Sequence, residues 1–406
     1  MRILVLTNQY PPHSLGGYAL SCQAMVDELR RRGHRIYVLT CDARLPEVTG
    51  DGAGDGVHRD LHLWFRDLGR REPTLPRPPL RDRFKHERRN ERTVQNVLAT
   101  WRPDVVSVWE MGAMSLSTLT LVERAGVPMV LTLHDYWPQY APQWDPWMRM
   151  FDGRPWARWP IAPLRMVTTA PELSGALANV VSRNLREKLS GEGRWRFPDA
   201  QVIHFGIDPG LFGVAEPVER RWDWKILYVG RLDVVKGIRT LALAMRHLPA
   251  DASLEIIGQG DPGIAAMVKD IIGEPRATGR VRFSSCSRSE LVGRYRAADA
   301  LVFPSEWDEP FGLVPLEAMA CGLPVVATGT GGSGEYLSGG ENCLLFPPGD
   351  ADRLAAAVRR LAEDEILRKK IATAGLVTAG RYSLERVADQ MEDLHLAAVR
   401  RRSDPV

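Results

Sequence analysis

The chain has few cysteines and no long apolar run. Its 406 residues include five cysteines without any Cys-x-x-Cys spacing, at Cys22, Cys41, Cys286, Cys321 and Cys343. This pattern argues against a disulfide framework and against a structural zinc site. The N-terminal apolar run at residues 3–6 is too short for a signal-peptide core, and no stretch approaches the ~18 apolar residues of a membrane span. We expect a soluble protein of a reducing cytoplasm, with peripheral contact at the inner membrane surface left open.

The chain also has little net charge. Its 53 basic and 50 acidic residues give a net charge of +3, which offers no argument for binding nucleic acid. An apolar content of 44% supports ordinary globular cores. The length suits two domains of about 200 residues each.

Short β-branched runs alternate with helical patterns along the whole chain, which is typical of parallel α/β sheets. The predicted strands of the first half are residues 3–6, 36–40, 105–108, 129–133, 180–182 and 202–204. Those of the second half are 225–229, 254–257, 281–284, 300–303, 324–327 and 343–346. Two such series predict two Rossmann-like, doubly wound domains, with the break between residues 208 and 224. An amphipathic helix is predicted at 383–401.

The most informative segment carries two glutamates, Glu309 and Glu317, around a predicted helix start. Pro310 biases Glu309 away from helical angles, and Pro315 is tolerated only near the first turn of a helix. We therefore expect Glu309 on a loop and Glu317 about a turn inside the helix. The backbone amides of residues 311–313 should then form an anion site between the two carboxylates. A surface helix with carboxylates near its positive end is the simpler alternative.

This segment resembles the Glu-x7-Glu motif of the family 4 retaining glycosyltransferases, which have the two-domain GT-B fold. The resemblance implies that Glu309 and the amides at Phe311, Gly312 and Leu313 orient a donor sugar, and that Glu317 binds the ribose. It also implies three parts of the chain: an acceptor-side domain at 1–207, a nucleotide-sugar domain at 208–382, and a C-terminal helix at 383–406 that packs back on the first domain.

A second motif follows the predicted strand at 225–229. Gly230, Arg231, Lys236 and Gly237 resemble the Gly-Arg…Lys-Gly segment of that family. Ligands of doubly wound sheets bind at the carboxyl ends of the strands, so Arg231 and Lys236 could neutralise a diphosphate leaving group. Solvated loop charges beside a glycine turn are the alternative.

Weaker matches complete the resemblance. Gly16 and Gly17 precede a helix that ends near an Arg-Gly-His turn, and Gly258 lies in a loop that the family places near the nucleotide base. Ser285 stands in a stretch where many relatives have a glycine, which leaves the identity of the base open. His134 follows the strand at 129–133, and the resemblance implies that it faces the donor sugar. A hydrogen-bonded structural histidine is the alternative.

Two other patterns imitate known motifs. The run from Gly329 to Gly334 satisfies Gly-x-Gly-x-x-Gly, but it lies far from the first strand and lacks a following ribose-binding acid, so we interpret it as the family's Gly-Gly…Glu loop with Glu335. Asp350 and Asp352 resemble a metal-binding Asp-x-Asp pair, but they begin a predicted helix, where aspartate is a cap. No metal is expected.

Two segments look like insertions on the first domain. Residues 66–92 are rich in arginine and proline, with ten basic and five acidic residues. Residues 137–165 contain five of the twelve tryptophans. This second segment follows His134. The candidate acceptor-binding residues there are Tyr136, Trp137, Trp144 and Trp147. Tryptophans that cover an exposed flank of the domain are the equal alternative.

The motifs together predict a retaining glycosyltransferase that moves a hexosyl unit from a nucleotide-diphosphate sugar to a glycan, lipid-linked or natural-product acceptor. Glu309, Arg231, Lys236 and His134 are the candidate catalytic residues. The chemistry would be leaving-group stabilisation and positioning, with front-face transfer. A nucleotide-sugar epimerase or hydrolase and a catalytically silent sugar-nucleotide-binding subunit are the alternatives. No cofactor is implied, and the sequence does not give the oligomeric state.

Overall fold

The computed structural model describes residues 1–14, 16–45, 48, 50, 56–64, 77–191, 193–213, 221–273 and 280–403. The chain divides into two compact units. Unit 1 comprises Met1–Ile203 with Ala388–Val406, and unit 2 comprises His204–Val387. Each unit is an α/β body around one parallel sheet. Among the described residues, no helix combines the length and the apolar character that crossing a bilayer requires.

Unit 1 contains a seven-stranded sheet in the order β3-β2-β1-β4-β5-β6-β7. Its strands are β1 (Arg2–Thr7), β2 (Arg35–Cys41), β3 (Val57–Leu61), β4 (Val105–Glu110), β5 (Met129–Leu133), β6 (Leu177–Val180) and β7 (Gln201–Val202). All neighbouring pairs are parallel. The strand order reverses between β1 and β4, which is the point where doubly wound sheets bind ligands.

Unit 2 repeats this arrangement with six parallel strands in the order β10-β9-β8-β11-β12-β13. They are β8 (Lys225–Val229), β9 (Ser253–Ile257), β10 (Val281–Ser284), β11 (Ala300–Phe303), β12 (Val325–Ala327) and β13 (Leu344–Leu345). The order reverses between β8 and β11. Alternate apolar residues of these strands form one buried cluster with the covering helices, and residues of the other face, such as Leu227, Leu301 and Val325, are also buried, so the sheet is buried on both faces.

Helices connect the strands of both units. The helices of unit 1 are α1 (Gly17–Arg31), α2 (Leu80–Thr100), α3 (Ser117–Arg124), α4 (Trp137–Trp144) and α5 (Arg183–Leu189), with 3₁₀ helices at Met148–Met150 and Pro155–Leu164. Unit 2 has α6 (Pro209–Phe212), α7 (Ile238–Met245), α8 (Pro262–Ile272), α9 (Arg288–Ala297), α10 (Leu313–Ala320), α11 (Ala351–Glu363) and α12 (Glu365–Arg381), with 3₁₀ helices at Val234–Lys236 and Gly331–Glu335. The last helix, α13, spans Leu384–Ser403.

The predicted strands agree closely with the structure, with two informative differences. The sequence analysis placed a strand at 180–182, whereas β6 ends at Val180 because Ser182 caps α5: its hydroxyl accepts the amide of Leu185 at 3.0 Å. The edge strand β3 was not predicted, since its sequence Val-His-Arg-Asp-Leu has little apolar character.

The arginine-rich segment is more regular than the sequence suggested. Residues 66–76 lie outside the described part, but residues 80–92 form the first turns of α2, which begins after Pro79. Its buried residues Glu87, Asn90, Val94 and Val97 follow helical spacing. The many charges therefore belong largely to the exposed side of an amphipathic helix.

The Trp segment, residues 137–165, is joined to α2 and to the start of α3 by buried carboxylates. Asp145 accepts the amides of Leu116 at 2.8 Å and of Trp147 at 2.8 Å. On α2, Glu91 accepts the amide of Val167 at 2.7 Å, and burial raises the pKa of Glu91 to about 7. Glu87 accepts the hydroxyls of two serines in the α3 turn, Ser115 and Ser117. Burial, then the charge of Asp145, raises the pKa of Glu87 well above its usual range.

The C-terminal part of α13 belongs to unit 1. Arg32 reaches Asp389 at 2.7 Å and Glu392 at 3.0 Å, and His34 reaches Glu392 at 2.9 Å. The Arg-Gly-His turn at the end of α1 therefore serves as the contact point for the last helix.

Candidate active site

The predicted helix start is present in unit 2. Helix α10 begins at Leu313, Gly312 is its N-cap residue, and Glu309 lies on the preceding loop while Glu317 lies in the second turn. Gly312 has φ +83°, a left-handed conformation that disfavours a side chain. Its position leaves the first amides of α10 available to a ligand, as the two prolines indicated.

The structure brings Lys236 and Glu309 into direct contact. The Lys236 ammonium lies 2.6 Å from Oε1 of Glu309, and the Ser305 hydroxyl donates to the same oxygen at 2.7 Å. Glu309 is buried, and the Lys236 side chain is largely so. Two residues 73 positions apart in the sequence therefore form one charged pair at the carboxyl edge where β8 and β11 are neighbours.

Gly237 makes this contact possible. Its φ is +67°, and a Cβ atom at this position would lie 1.8 Å from the Pro304 carbonyl oxygen. No side chain fits there without moving the backbone after β11. The glycine lets the loop carrying Lys236 touch the loop carrying Glu309.

The loop with the Gly-x-Gly-x-x-Gly pattern packs against Glu309 from another direction. The Gly332 amide donates to the Glu309 carbonyl at 2.6 Å, and a Cβ atom on Gly331 would lie 2.5 Å from that oxygen. Glu335, at the end of this 3₁₀ helix, contacts His204 at 3.1 Å. Within unit 2 the pattern thus supports the backbone of the glutamate loop.

The Phe311 side chain anchors the loop that carries Glu309. Its ring is buried among aromatic side chains, with ring centroids 5.2 Å from His204, 5.4 Å from Tyr336 and 5.7 Å from Tyr382. The Tyr336 hydroxyl also donates to the Gly312 carbonyl. The Phe311 side chain is therefore structural, and only its backbone amide is a candidate ligand group.

Glu317 is held by two residues of α9. Arg288 lies 3.1 Å from Oε1, and the Tyr295 hydroxyl donates to Oε2 at 3.0 Å. Burial raises the pKa of Glu317, and the charge of Arg288 and the hydrogen bond from Tyr295 oppose that rise. Each carboxylate oxygen keeps a further acceptor position for a ligand hydroxyl.

Arg231 occupies a more open place than Lys236. Its side chain is 64% exposed and lies 3.4 Å from Asp233, while the Tyr228 hydroxyl fixes its backbone by donating to its carbonyl at 2.9 Å. The loop after β9 closes tightly on this segment, since a Cβ atom on Gly258 would lie 1.9 Å from the Gly230 carbonyl oxygen. The predicted loop glycines Gly230 and Gly258 therefore pack against each other.

A second cluster lies at the carboxyl edge of the sheet of unit 1, where β4 and β5 are neighbours. His134 follows β5, and its Nε2 lies 3.2 Å from Oε2 of Glu110, the last residue of β4. The Tyr140 hydroxyl donates to Asp135 at 2.6 Å and to Glu110 at 3.2 Å. Burial, then the charge of Asp135, raises the pKa of Glu110 well above its usual range, while burial lowers that of His134. Both shifts favour the uncharged forms.

The start of α1 covers this cluster. The Tyr18 ring stacks on the His134 ring with centroids 4.5 Å apart, and its hydroxyl donates to Asn8 at 2.5 Å. Gly16 caps α1 with φ +99°, and Gly17 is the first helical residue. The predicted glycine pair and His134 are thus brought into one neighbourhood in unit 1 through Tyr18.

The candidate acceptor residues differ in accessibility. Trp137 and Trp147 are completely buried, and the Trp147 indole donates to the Val167 carbonyl at 2.7 Å. Trp144 is partly exposed and lies 4.5 Å from the Tyr140 ring, and Tyr136 is partly exposed at the start of α4. Burial favours a structural interpretation for Trp137 and Trp147.

Asp350 caps α11, as its position in the sequence indicated. Its carboxylate accepts the amide of Arg353 at 2.9 Å. Asp352 lies 3.3 Å from His247. The described residues do contain one group of three potential metal ligands, whose donor atoms lie within 4.8 Å of one another: Glu110, His134 and Asp135.

Several site residues were missed in the sequence analysis. Glu110 had a usable signal, because it ends a buried run at a strand's carboxyl edge. Ser305 likewise follows β11. Arg288 and Tyr295 had none, since α9 has little apolar periodicity and their distance from Glu317 depends on the folded chain.

Comparison with solved structures identifies the fold. A sucrose-phosphate synthase from Thermosynechococcus elongatus superposes with a TM-score of 0.69 at 22% identity, covering 98% of each chain. HepE of Anabaena, solved in complex with UDP-glucose, superposes with a TM-score of 0.69 at 20% identity, covering 98% of this chain and 100% of that one. These neighbours share the GT-B architecture of two Rossmann-like domains.

Sequence comparison also divides the chain into two parts. Residues 15–211 match the family described as Glycosyltransferase Family 4, and residues 216–376 match Glycosyl transferases group 1. The chain is a glycosyltransferase with the GT-B fold. This glycosyltransferase is 26% identical to the glycogen synthase of Mycobacterium tuberculosis (strain ATCC 25618 / H37Rv), over 100% of its own length and 97% of that protein. The Lys236–Glu309 pair of the glycosyltransferase lies within the group 1 match, and the Glu110–His134 pair within the family 4 match.

Proposed function

We propose that this glycosyltransferase transfers a hexosyl unit from a nucleotide-diphosphate sugar to a hydroxyl group of a glycan, lipid-linked or natural-product acceptor, with retention of anomeric configuration. The contact between Lys236 and Glu309 is the observation on which the proposal mainly depends. It places a cation for a phosphate and an acceptor for sugar hydroxyls at one strand edge, beside the N-terminus of α10.

The donor roles follow from the charges of these groups. Lys236 and Arg231 would neutralise the diphosphate and stabilise it as a leaving group. A lysine ammonium has three donors, so Lys236 can keep its contact with Glu309 while it binds a phosphate oxygen. Glu309 and the amides at residues 311–313 would orient the sugar, and Glu317 would bind the ribose. The complex of HepE with UDP-glucose supports a nucleotide-sugar donor.

Unit 1 would bind the acceptor. His134, held by Glu110 and covered by Tyr18, would contribute a neutral imidazole to the reacting centre. Tyr136 and Trp144 would contact the acceptor, because both are partly exposed. Trp137 and Trp147 would act by supporting them. No metal is required, since cationic side chains and helix amides supply the positive charge. Transfer would proceed at the front face of the sugar.

A panel of nucleotide-sugars tests the proposal. The matching donor should raise the unfolding temperature, since a ligand at 100 times its dissociation constant adds about 2.7 kcal/mol of stability. Incubation of that donor with candidate acceptors should give a glycoside, and proton NMR of its anomeric coupling should show retention.

Three outcomes would contradict the proposal. Donor breakdown or epimerisation without any glycoside would indicate a hydrolase or an epimerase. Donor binding without turnover would indicate a silent binding subunit. An inverted product would overturn the retaining mechanism.

A further inference from the structure

The Trp segment presents two tryptophans to solvent on one face. Trp156 and Trp159 are 70% and 81% exposed, in contrast to the buried Trp137 and Trp147. Both exposed residues belong to the 3₁₀ helix Pro155–Leu164. Side chains three positions apart in a 3₁₀ helix lie above one another, so the two indoles form a single outward row.

The opposite side of this 3₁₀ helix is fixed to the unit. Ile161 is buried, and Arg158, three positions earlier, is partly buried. Just after the helix, Val167 is held by Glu91 at 2.7 Å and by the indole of Trp147 at 2.7 Å. The inner face of the 3₁₀ helix is therefore already packed, and the outward indoles do not contribute to that packing.

Three prolines stiffen the exposed surface. Pro155 begins the 3₁₀ helix, and Pro160 and Pro163 lie within it. Proline restricts the backbone, so the indole row needs little ordering when it meets a partner. Leu164 is a further exposed apolar side chain at the end of the row.

Basic charge surrounds the row. Residues 149–165 contain four arginines and one aspartate, a formal charge of +3. Arg154 and Arg165 flank the 3₁₀ helix, and both are exposed. Indole rings with flanking arginines match the interface of an anionic bilayer, where the rings enter the headgroup layer and the guanidinium groups meet phosphates.

A small pocket on the same segment carries further basic charge. Arg149, Arg158 and Arg194 line it together with Phe151 and Asp152, and Arg194 lies 3.9 Å from Asp152. Within the described residues, the Nε atom of Arg158 is buried and has no hydrogen-bond partner. A buried guanidinium N–H that lacks an acceptor favours an anionic ligand, such as the phosphate of a lipid headgroup.

We propose that the face formed by Trp156, Trp159, Arg154 and Arg165 docks unit 1 on an anionic lipid surface. This surface partner is separate from the transfer reaction and does not depend on the donor or the acceptor. The indoles supply apolar contact, and the arginines supply selectivity for negative headgroups.

Vesicle sedimentation of the full chain tests this docking. Vesicles with about one third phosphatidylglycerol should bind the protein, vesicles of phosphatidylcholine alone should bind it weakly, and added salt should release it. The double variant Trp156→Ala/Trp159→Ala should lower the partition coefficient by roughly tenfold or more. The double variant Arg154→Gln/Arg165→Gln should lower it by about fivefold for each arginine.

Matched controls come from unit 2. Ile366→Ala removes an equally exposed apolar side chain, and Arg353→Gln/Arg360→Gln removes two exposed charges from α11. Both control variants should bind vesicles like the parent. Brominated lipid should quench fluorescence of the parent more strongly than that of the tryptophan variant.

Equal vesicle binding by the parent and by both Trp segment variants would overturn the proposal, as would equal binding to neutral vesicles. A tryptophan-dependent dimer in the absence of lipid, measured by light scattering, would assign the face to a second copy instead. If the tryptophan variant fails to fold, the arginine variant still decides. Because no nucleotide-sugar is present, these results are independent of whether the proposed transfer occurs.

Discussion

Both units have a candidate site at the carboxyl edge of their sheet, but the two sites differ in charge. In unit 2, Lys236 and Glu309 form a direct ion pair where β8 and β11 are neighbours. In unit 1, His134 and Glu110 meet where β4 and β5 are neighbours, but burial shifts both pKa values toward the uncharged forms. The site in unit 2 therefore carries charged groups, whereas burial in unit 1 favours uncharged ones. The strand topology therefore fixes where each site lies, whereas local burial decides what it can do.

The largest effect should come from separating the charged pair. Lys236→Met leaves the Glu309 carboxylate buried without its cation, so the free energy of unfolding should fall by about 3 kcal/mol. Lys225→Met is the matched control, because Lys225 pairs with Asp223 at the surface at 3.1 Å and should cost under about 1 kcal/mol. Denaturant titration measures both. If the double variant Lys236→Met/Glu309→Gln is no more stable than Lys236→Met, the pair does not carry the cost.

The next effect concerns catalysis. Glu309→Ala should lower turnover by roughly 100-fold or more, because the variant no longer orients the donor sugar. Binding of the nucleoside diphosphate should persist, since Lys236 and the α10 amides remain. Steady-state rates and calorimetric binding give the two quantities, with the exposed Glu341→Ala as control. A rate near that of the parent would remove Glu309 from the site.

The Glu110–His134 pair should make the stability of the protein depend on pH. The pKa of Glu110 is raised from about 4.5, so between that value and its raised pKa the folded state binds a proton that the unfolded state has lost. Stability due to Glu110 therefore falls as pH rises through this range, by up to about 1.4 kcal/mol per pH unit. Glu110→Gln removes the titration, so its stability relative to the parent should increase from pH 5 to pH 8. Parallel stability curves would show that Glu110 does not titrate in this way.

The smallest expected effect is that of a chelator. EDTA should leave the transfer rate unchanged, since Lys236, Arg231 and the α10 amides supply positive charge in unit 2. A rate abolished by EDTA and restored by magnesium or manganese would contradict this. It would direct attention to Glu110, His134 and Asp135 in unit 1, because Asp350 is engaged as a helix cap.

The fold was largely predictable because its signals are local. Buried parallel strands are short β-branched runs, and prolines fixed the start of α10. The charged pair was partly predictable, since Lys236 and Glu309 both follow strands that end at the same sheet edge. The hydrogen bond from Ser305 to Glu309 was not predictable, and neither were the contacts of Arg288 and Tyr295 with Glu317. These depend on loop conformation and helix placement, to which residues distant in sequence contribute.

The division of the tryptophans was equally hidden from the sequence. Trp147 and Trp159 lie in similar surroundings of proline and arginine, yet one is buried and the other is exposed. The difference depends on Asp145, which holds the Trp147 backbone inward, and on the 3₁₀ helix, which turns Trp159 outward. Composition identified the segment, and only packing separates its residues.

The buried carboxylates of α2 limit how this protein can be recombined with its relatives. Glu87 and Glu91 bond the turn before α3 and the chain at Val167, so both flanks of residues 137–165 depend on a helix that begins almost sixty residues earlier. A chimera that exchanges the Trp segment alone would replace Asp145, whose carboxylate accepts the Leu116 amide between the two serines that bond Glu87. Grafting residues 80–167 as one piece transfers Glu87, Glu91 and Asp145 together with their partners, and this stretch is the natural unit for exchange.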